Sequence, residues 1–137
     1  MSTHALVGVM HGDKFKAIYV HSDGYLDYVG QLLLDHYDSA KANWLVAMGD
    51  CSILGKTIGH KISFDDRIGS DERGFAMQCR FYMRDREETG CEFAVYQSFD
   101  EVAAEDFEHV YLMKDNVWYY SQGRMLMRLE DALKAVV

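Results

Sequence analysis

Positively charged residues and a tyrosine alternate along one short segment of the chain, with a spacing that could build an anion site. Arg80, Tyr82 and Arg84 would share one face of an extended strand, with Arg86 beside them. Guanidinium groups donate forked hydrogen bonds to phosphate, and a tyrosine ring stacks well on a flat ligand. The pattern has two interpretations: a pocket for a phosphorylated or nucleotide-like ligand, or a solvated sheet face with weak ion pairs.

That arginine face depends on a hairpin. Polarity alternates from Phe75 to Asp85, residues 87–90 can turn the chain, and the segment from Cys91 to Ser98 alternates again. The second strand would place Tyr96 across from the arginines, because residues on paired strands face each other. The predicted ligand-binding residues are therefore Arg80, Tyr82, Arg84, Arg86 and Tyr96.

A second kind of site comes from the acidic residues, which outnumber the basic ones 22 to 14 and give a net charge of −8. This negative charge disfavours direct binding of nucleic acid, because phosphate contacts need Lys and Arg. The acidic excess gathers in two stretches that could contact a basic surface of a partner protein. The predicted partner-binding residues are Asp23, Asp27, Asp35, Asp38, Asp100, Glu101, Glu105, Asp106 and Glu108.

The sequence contains only weak matches to catalytic, metal-binding and phosphate-loop motifs. His21, Ser22 and Asp23 have the residue types of a hydrolase triad, but adjacent side chains diverge and cannot relay a proton in line. The six histidines lack the spacing of a metal site, and Gly55-Lys56-Thr57 lacks the earlier glycine of a phosphate loop. We therefore predict no catalytic residue, no metal and no cofactor, and a binding protein in place of an enzyme.

Hairpin patterns dominate the chain beyond residues 75–98. Apolar alternation on both sides of residues 11–13, and on both sides of Asp115-Asn116, predicts two further hairpins. Residues 124–128 are expected to add an edge strand. We predict a single α+β domain over residues 1–137, with an antiparallel sheet built from hairpins and two to three helices packed on one face.

The helices are predicted from apolar spacing and capping residues. Apolar residues recur at helical intervals in Tyr25–Tyr37, and a second short helix is expected over Ala40–Met48. Ser98 can cap a short acidic helix that continues through Asp106, because its hydroxyl accepts from the first backbone N–H groups. Residues 129–136 are expected to form a final turn or two of helix.

Several signals bear on where the protein acts. The opening residues carry no basic leader and no small-residue cleavage site, so we expect no secretion signal. No apolar run is long enough to span a bilayer, and we expect no membrane association. Three cysteines without a C-x-x-C pair are typical of reduced thiols in a cytosol. The composition is also compatible with a homo-oligomer.

Three short motifs follow one another in the first half of the chain: I-Y-x-H-x-D-G-Y, V-G-x-x-L-L-x-x-Y and G-D-x-S-x-L-G. They resemble a family of small proteins found widely in bacteriophages and prophages. The sequence departs from the family at Val20 and Ser22, where the family more often has Cys and Trp, and these changes weaken the case for a thiol or a stacked indole at this corner. The motif residues expected to shape the local structure are His21, Asp23, Gly24, Tyr25, Gly30 and Asp50.

The resemblance implies a setting, namely a phage or prophage product in the host bacterial cytoplasm, but no chemistry. Three hypotheses about function follow. The first is an acidic binding protein that inhibits or modulates a host or anti-phage defence protein by surface recognition. The second is a protein that binds or sequesters a small nucleotide-like ligand on its arginine and tyrosine face. The third is an accessory or structural protein of the phage.

Overall fold

The predicted first hairpin forms the centre of the sheet. Strand β1 (Ala5–His11) pairs antiparallel with β2 (Lys14–Val20), with Ala5 opposite Val20 and His11 opposite Lys14. Gly12, at the turn, has a φ of 64°. Glycine adopts this left-handed conformation without a steric cost. The chain therefore reverses where the sequence predicts.

Six further strands extend this hairpin on both sides. The computed structural model describes residues 3–66, 69–105, 107–122 and 125–135. In those residues the remaining strands are β3 (Cys51–Ile53), β4 (Arg80–Phe81), β5 (Ala94–Tyr96), β6 (His109–Lys114), β7 (Val117–Gln122) and β8 (Met125–Arg128). The strand order is β4-β3-β2-β1-β6-β7-β8, and β5 pairs with the first half of β2.

The sheet is mixed, so the prediction of an antiparallel sheet is wrong. β1 pairs parallel with β6, and β2 pairs parallel with β3 where Val20 lies opposite Cys51. Turn residues reveal a hairpin because its two strands are neighbours in sequence. A parallel pair requires a long crossover, and no local turn signal marks which distant strand will become the partner.

Helices cover both faces of the sheet. They are α1 (Gln31–His36), α2 (Ser39–Ala47), α3 (Tyr82–Arg86), α4 (Phe99–Ala104) and α5 (Leu129–Ala135), with a π-helical turn (Leu26–Gly30) directly before α1. The described residues thus hold five α-helices, more than the two to three predicted. The single helix expected over Tyr25–Tyr37 is divided between the π-helical turn and α1.

Two apolar cores flank the sheet. The larger, which we call the first core, packs Leu32, Leu45 and Leu129, from helices α1, α2 and α5, against the sheet. The smaller, the second core, packs Val102 of α4 against Phe15 and other residues on the opposite face. The prediction of helices on one face is therefore wrong, because α4 covers the other face.

The predicted hairpin over residues 75–98 is also wrong. In its first half only Arg80–Phe81 is a strand, and the chain then turns into α3. In its second half Ala94–Tyr96 forms β5, which pairs with β2 instead of β4. The cause lies at Asp85, whose carboxylate accepts a hydrogen bond from the backbone N–H of Phe81 at 2.9 Å. A side chain that satisfies the backbone locally competes with strand pairing, and this capping contact overrides the alternating pattern.

The predicted hairpin around Asp115-Asn116 is confirmed: β6 and β7 pair antiparallel, and both turn residues have a positive φ. Such turns favour Asn and Asp at both central positions. The edge strand β8 and the helices α2, α4 and α5 also form close to their predicted positions. In the described residues, no helix has the length and apolar character needed to cross a membrane.

Candidate functional site

Three sequence segments meet along β3, which begins beside the last residue of β2. The chain leaving β2 hydrogen-bonds to β3, with the N–H of His21 donating to the carbonyl of Cys51 at 3.0 Å and Ser22 donating to Ser52 at 2.9 Å. The N–H of Tyr82, at the start of α3, donates to the carbonyl of Asp50 at 3.3 Å. Ligands in open sheets commonly bind outside the carboxyl ends of parallel strands. The first place to look for a site is therefore beyond Val20 and Ile53, the last residues of the parallel strands β2 and β3.

Asp50 joins these segments through its side chain. Its Oδ1 accepts a hydrogen bond from the backbone N–H of Tyr19 in β2 at 2.8 Å. Its own N–H donates to the carbonyl of Cys91 at 2.8 Å. Burial raises the pKa of the Asp50 carboxyl, and the Tyr19 hydrogen bond opposes that shift. Asp50 therefore ties β2 to the segment at Cys91.

The turn after β2 holds Asp23 in one orientation. Asp23 has a φ of 58°, in the left-handed region, which Asp and Asn enter more readily than other side chains. The next residue, Gly24, accepts a hydrogen bond from the Tyr111 hydroxyl at 2.7 Å. A Cβ on Gly24 would lie 2.7 Å from the Cβ of Ala5, so the close packing requires glycine. Burial, followed by the negative charge of Asp23, raises the pKa of the Tyr25 hydroxyl.

A cavity of about 330 Å³ opens beside this turn, on the side of the first core. We call it the carboxyl-end cavity. Its size lies near the lower end of the range of small-molecule sites. The described residues that line it are Asp23, Tyr28, Ile53, Ser70, Gly74, Ala76 and Arg80.

Arg80 is the cationic residue of the carboxyl-end cavity. Its Nη2 donates to the carbonyl of Asp66, and its guanidinium lies over the Phe64 ring at 5.3 Å from the centroid. Its Nε is buried and, within the described residues, has no hydrogen-bond acceptor. Most buried donors in proteins have a partner, and one without it is destabilising. The donor that a ligand could reach is Nη1, for which no described residue is an acceptor.

Arg84, by contrast, stabilises the fold. It pairs with the buried carboxylate of Asp85 at 2.8 Å, and it donates to the carbonyls of Ile58 at 2.8 Å and Cys79 at 3.1 Å. Hydrogen bonds from Arg84 and from the backbone lower the pKa of Asp85 and outweigh the opposing effect of burial. Because its donors are engaged, Arg84 has little left to offer a ligand.

Arg86 and Tyr82 also contact Phe64. The Tyr82 ring stacks on the Phe64 ring with centroids 5.7 Å apart, and the Arg86 guanidinium lies 5.1 Å from the same centroid. An open groove of about 770 Å³ runs past Phe64 and Arg86. The structure therefore brings Arg80, Tyr82 and Arg86 together, but around Phe64 and not on a strand face.

Tyr96 does not join this cluster. It pairs with Phe15 at the start of β2 and packs against the second core, whereas Arg80 lies near the other end of β2. The prediction that Tyr96 faces the arginines assumes the hairpin of residues 75–98. Because that hairpin does not form, this prediction is wrong as well.

The predicted acidic residues do not form one surface. Asp27, Asp35 and Asp38 lie exposed on the π-helical turn, on α1 and at the N-terminus of α2, where the Asp38 side chain accepts from the Lys41 N–H at 2.8 Å. On the opposite face of the sheet, in or after α4, the exposed acidic residues are Asp100, Glu101, Glu105 and Glu108. Asp23 lines the cavity, and Asp106 lies outside the described residues.

The histidine of the first motif belongs to an aromatic cluster that sequence reasoning missed. The ring of His4 lies 4.9 Å from that of His21 and 5.2 Å from that of Tyr19, and Nδ1 of His4 hydrogen-bonds to the His21 carbonyl at 2.9 Å. In the part of the chain that the structure describes, no three His, Cys, Asp or Glu side chains converge as a metal site requires.

Tyr28, Ile53 and Ala76 are cavity residues that the sequence does not single out. The Tyr28 hydroxyl donates to the Leu54 carbonyl at 3.3 Å and accepts from the Ala76 N–H at 3.0 Å. The one sequence signal is the neighbouring D-G-Y motif, because glycine in a motif often marks a close backbone approach.

Comparison with known proteins gives no independent guide to this site. The chain matches no protein-family model, no curated protein and no solved structure. The function must therefore be argued from the geometry.

Proposed function

We propose that this protein binds a small polar molecule in the carboxyl-end cavity. One observation carries the proposal: Asp23 and Arg80 line the same cavity, and no ion pair in the described chain involves either of them. Opposite charges that are left unpaired next to apolar walls are suited to a ligand that supplies the missing partners.

The surrounding structure supports a preformed site. The Asp23 turn is held by the Tyr111 hydrogen bond to Gly24, and Arg80 is held by Asp66 and Phe64. Groups that are already oriented lose little entropy when the ligand binds. In the phage setting that the resemblance implies, such a protein would sequester or sense a metabolite of the host.

The test is a nuclear magnetic resonance titration with a protein-free small-molecule extract of bacterial cells. We expect shifts in the backbone amide signals of Ile53, Gly74 and Ala76. Arg80→Gln should abolish these shifts. Arg86→Gln is the matched control, because Arg86 lies over the same Phe64 ring without lining the carboxyl-end cavity, and it should preserve them. Unchanged amide signals in the wild-type protein would refute the proposal.

A second candidate function is inhibition of a nucleic-acid-binding protein through α4. The observation that favours it is the group of exposed carboxylates in and after α4, which includes Glu101, Glu105 and Glu108. Such a surface could occupy a basic site that normally binds phosphate. In a pull-down from host lysate, we expect a protein partner that duplex DNA releases. The double variant Glu105→Lys, Glu108→Lys should no longer capture this partner. A partner that DNA does not displace would argue against this mechanism.

A further inference from the structure

We propose that the ligand of the carboxyl-end cavity is a free amino acid with an apolar side chain. This inference rests on the proposed function, and it names the chemical class of the ligand. It follows from three properties of the cavity: its two opposite charges, the donors of Arg80 and the composition of its walls.

The charges favour a zwitterion over an anion. Asp23 and Arg80 are the charged residues among the described lining residues, so their formal charges cancel. A phosphate would gain from Arg80 but would be repelled by the Asp23 carboxylate in the same small space. An amino acid carries an ammonium group for Asp23 and a carboxylate for Arg80, and each unpaired charge then has its partner.

The donors of Arg80 fit a carboxylate. A guanidinium offers five N–H groups in a planar fork that binds a carboxylate through two parallel hydrogen bonds. Asp66 receives a bond from Nη2, whereas Nε is buried without an acceptor in the described structure. A ligand carboxylate would accept from the outer Nη groups of the guanidinium, because the buried Nε lies below the accessible surface.

The walls fit an apolar side chain. Ile53 and Ala76 contribute aliphatic surface. The Tyr28 hydroxyl is already engaged by Leu54 and Ala76, so Tyr28 offers its ring rather than a polar group. Burying an aliphatic side chain here is favourable because it removes apolar surface from water. A volume of about 330 Å³ suits a molecule of this size better than a whole nucleotide.

The test uses the full chain and compares ligands that differ by one charge. L-Leucine, L-methionine and L-phenylalanine are titrated while the amide signals of Ile53, Gly74 and Ala76 are followed. Leucinamide lacks the carboxylate and N-acetyl-L-leucine lacks the ammonium group. Each analogue should bind about tenfold or more weakly than L-leucine, since each leaves one charge of the cavity without its partner. Inorganic phosphate and AMP are titrated in parallel.

Two variants assign the roles of the charges. Asp23→Asn keeps a residue that tolerates the left-handed backbone, and it should remove the preference for L-leucine over N-acetyl-L-leucine. Arg80→Gln should remove the preference for L-leucine over leucinamide. Arg86→Gln should leave both preferences intact, and the dispersion of the amide spectrum reports whether each variant is folded.

The outcomes separate this inference from the proposed function. Shifts of the cavity amides by AMP or by the bacterial extract, with none by the three amino acids, would overturn the amino-acid assignment and keep a small-molecule site. Equal affinity for L-leucine and both analogues would also overturn it. If neither the extract nor any single compound shifts these amides, both proposals fail.

Discussion

Replacing Asp85 with alanine would leave a buried cation and two backbone N–H groups without their acceptor. The Asp85 side chain is fully inaccessible, and its two oxygens accept from Arg84 twice, from Ile62 at 3.0 Å and from Phe81 at 2.9 Å. Removing one member of a buried pair typically costs about 3–5 kcal/mol. We expect Asp85→Ala to lower the free energy of unfolding by that amount, which corresponds to a fall in Tm of roughly 10–20 °C.

The assay is urea unfolding at neutral pH, followed by tryptophan fluorescence. The midpoint should fall while the slope with denaturant stays constant, because the surface exposed on unfolding is unchanged. Asp85→Asn retains one acceptor oxygen and should lie between the wild type and Asp85→Ala. Adding Arg84→Met to Asp85→Ala should restore part of the lost stability, since it removes the unpaired cation.

The matched control is Glu87→Ala, which removes an exposed carboxylate paired with Lys61 at 2.9 Å. Its midpoint should hardly move, because exposed ion pairs contribute little. If Asp85→Ala were as stable as Glu87→Ala, the buried carboxylate would not hold α3 in place. Asp85 would then not be the reason that residues 75–98 form a helix and short strands instead of a hairpin.

Three further predictions concern the turn, pH and one loop. Gly24→Ala should destabilise the fold and move the amide signal of Asp23, because the new Cβ would lie within 2.7 Å of the Ala5 Cβ. Burial lowers the pKa of His109, so near and below pH 6.5 the unfolded state binds more protons than the folded state. The free energy of unfolding should therefore decrease as the pH is lowered through this range. His109→Gln should reduce this pH dependence in urea unfolding experiments. The ammonium group of Lys56, 2.6 Å from the Asp71 carboxylate, lowers the pKa of that carboxyl to about 2. In Lys56→Met, a carbon-detected titration should show the pKa of Asp71 rising towards 3.8.

Part of the candidate site could be predicted from sequence. The spacing of the arginine segment indicates a place for ligand chemistry, and Arg80, Tyr82 and Arg86 do gather around Phe64. Asp23 and Asp50 stand out as motif residues, and the structure gives each a defined position. The charge pattern assigns Asp23 to an acidic surface, however, and does not predict its place in a cavity with Arg80.

What the sequence alone determined is the local structure: the β1–β2 and β6–β7 hairpins, α2 and the α+β class. These follow from turn residues, caps and periodicity, which act between neighbours in the chain. What only the tertiary structure decided are the parallel strand pairs, the helix at residues 82–86 and the pairing of β5 with β2. The strand pairs join residues far apart in sequence, and the helix is held by the Asp85 carboxylate through both the nearby Phe81 N–H and the distant Ile62 N–H. The alternating pattern of the sequence does not encode the energy of these contacts.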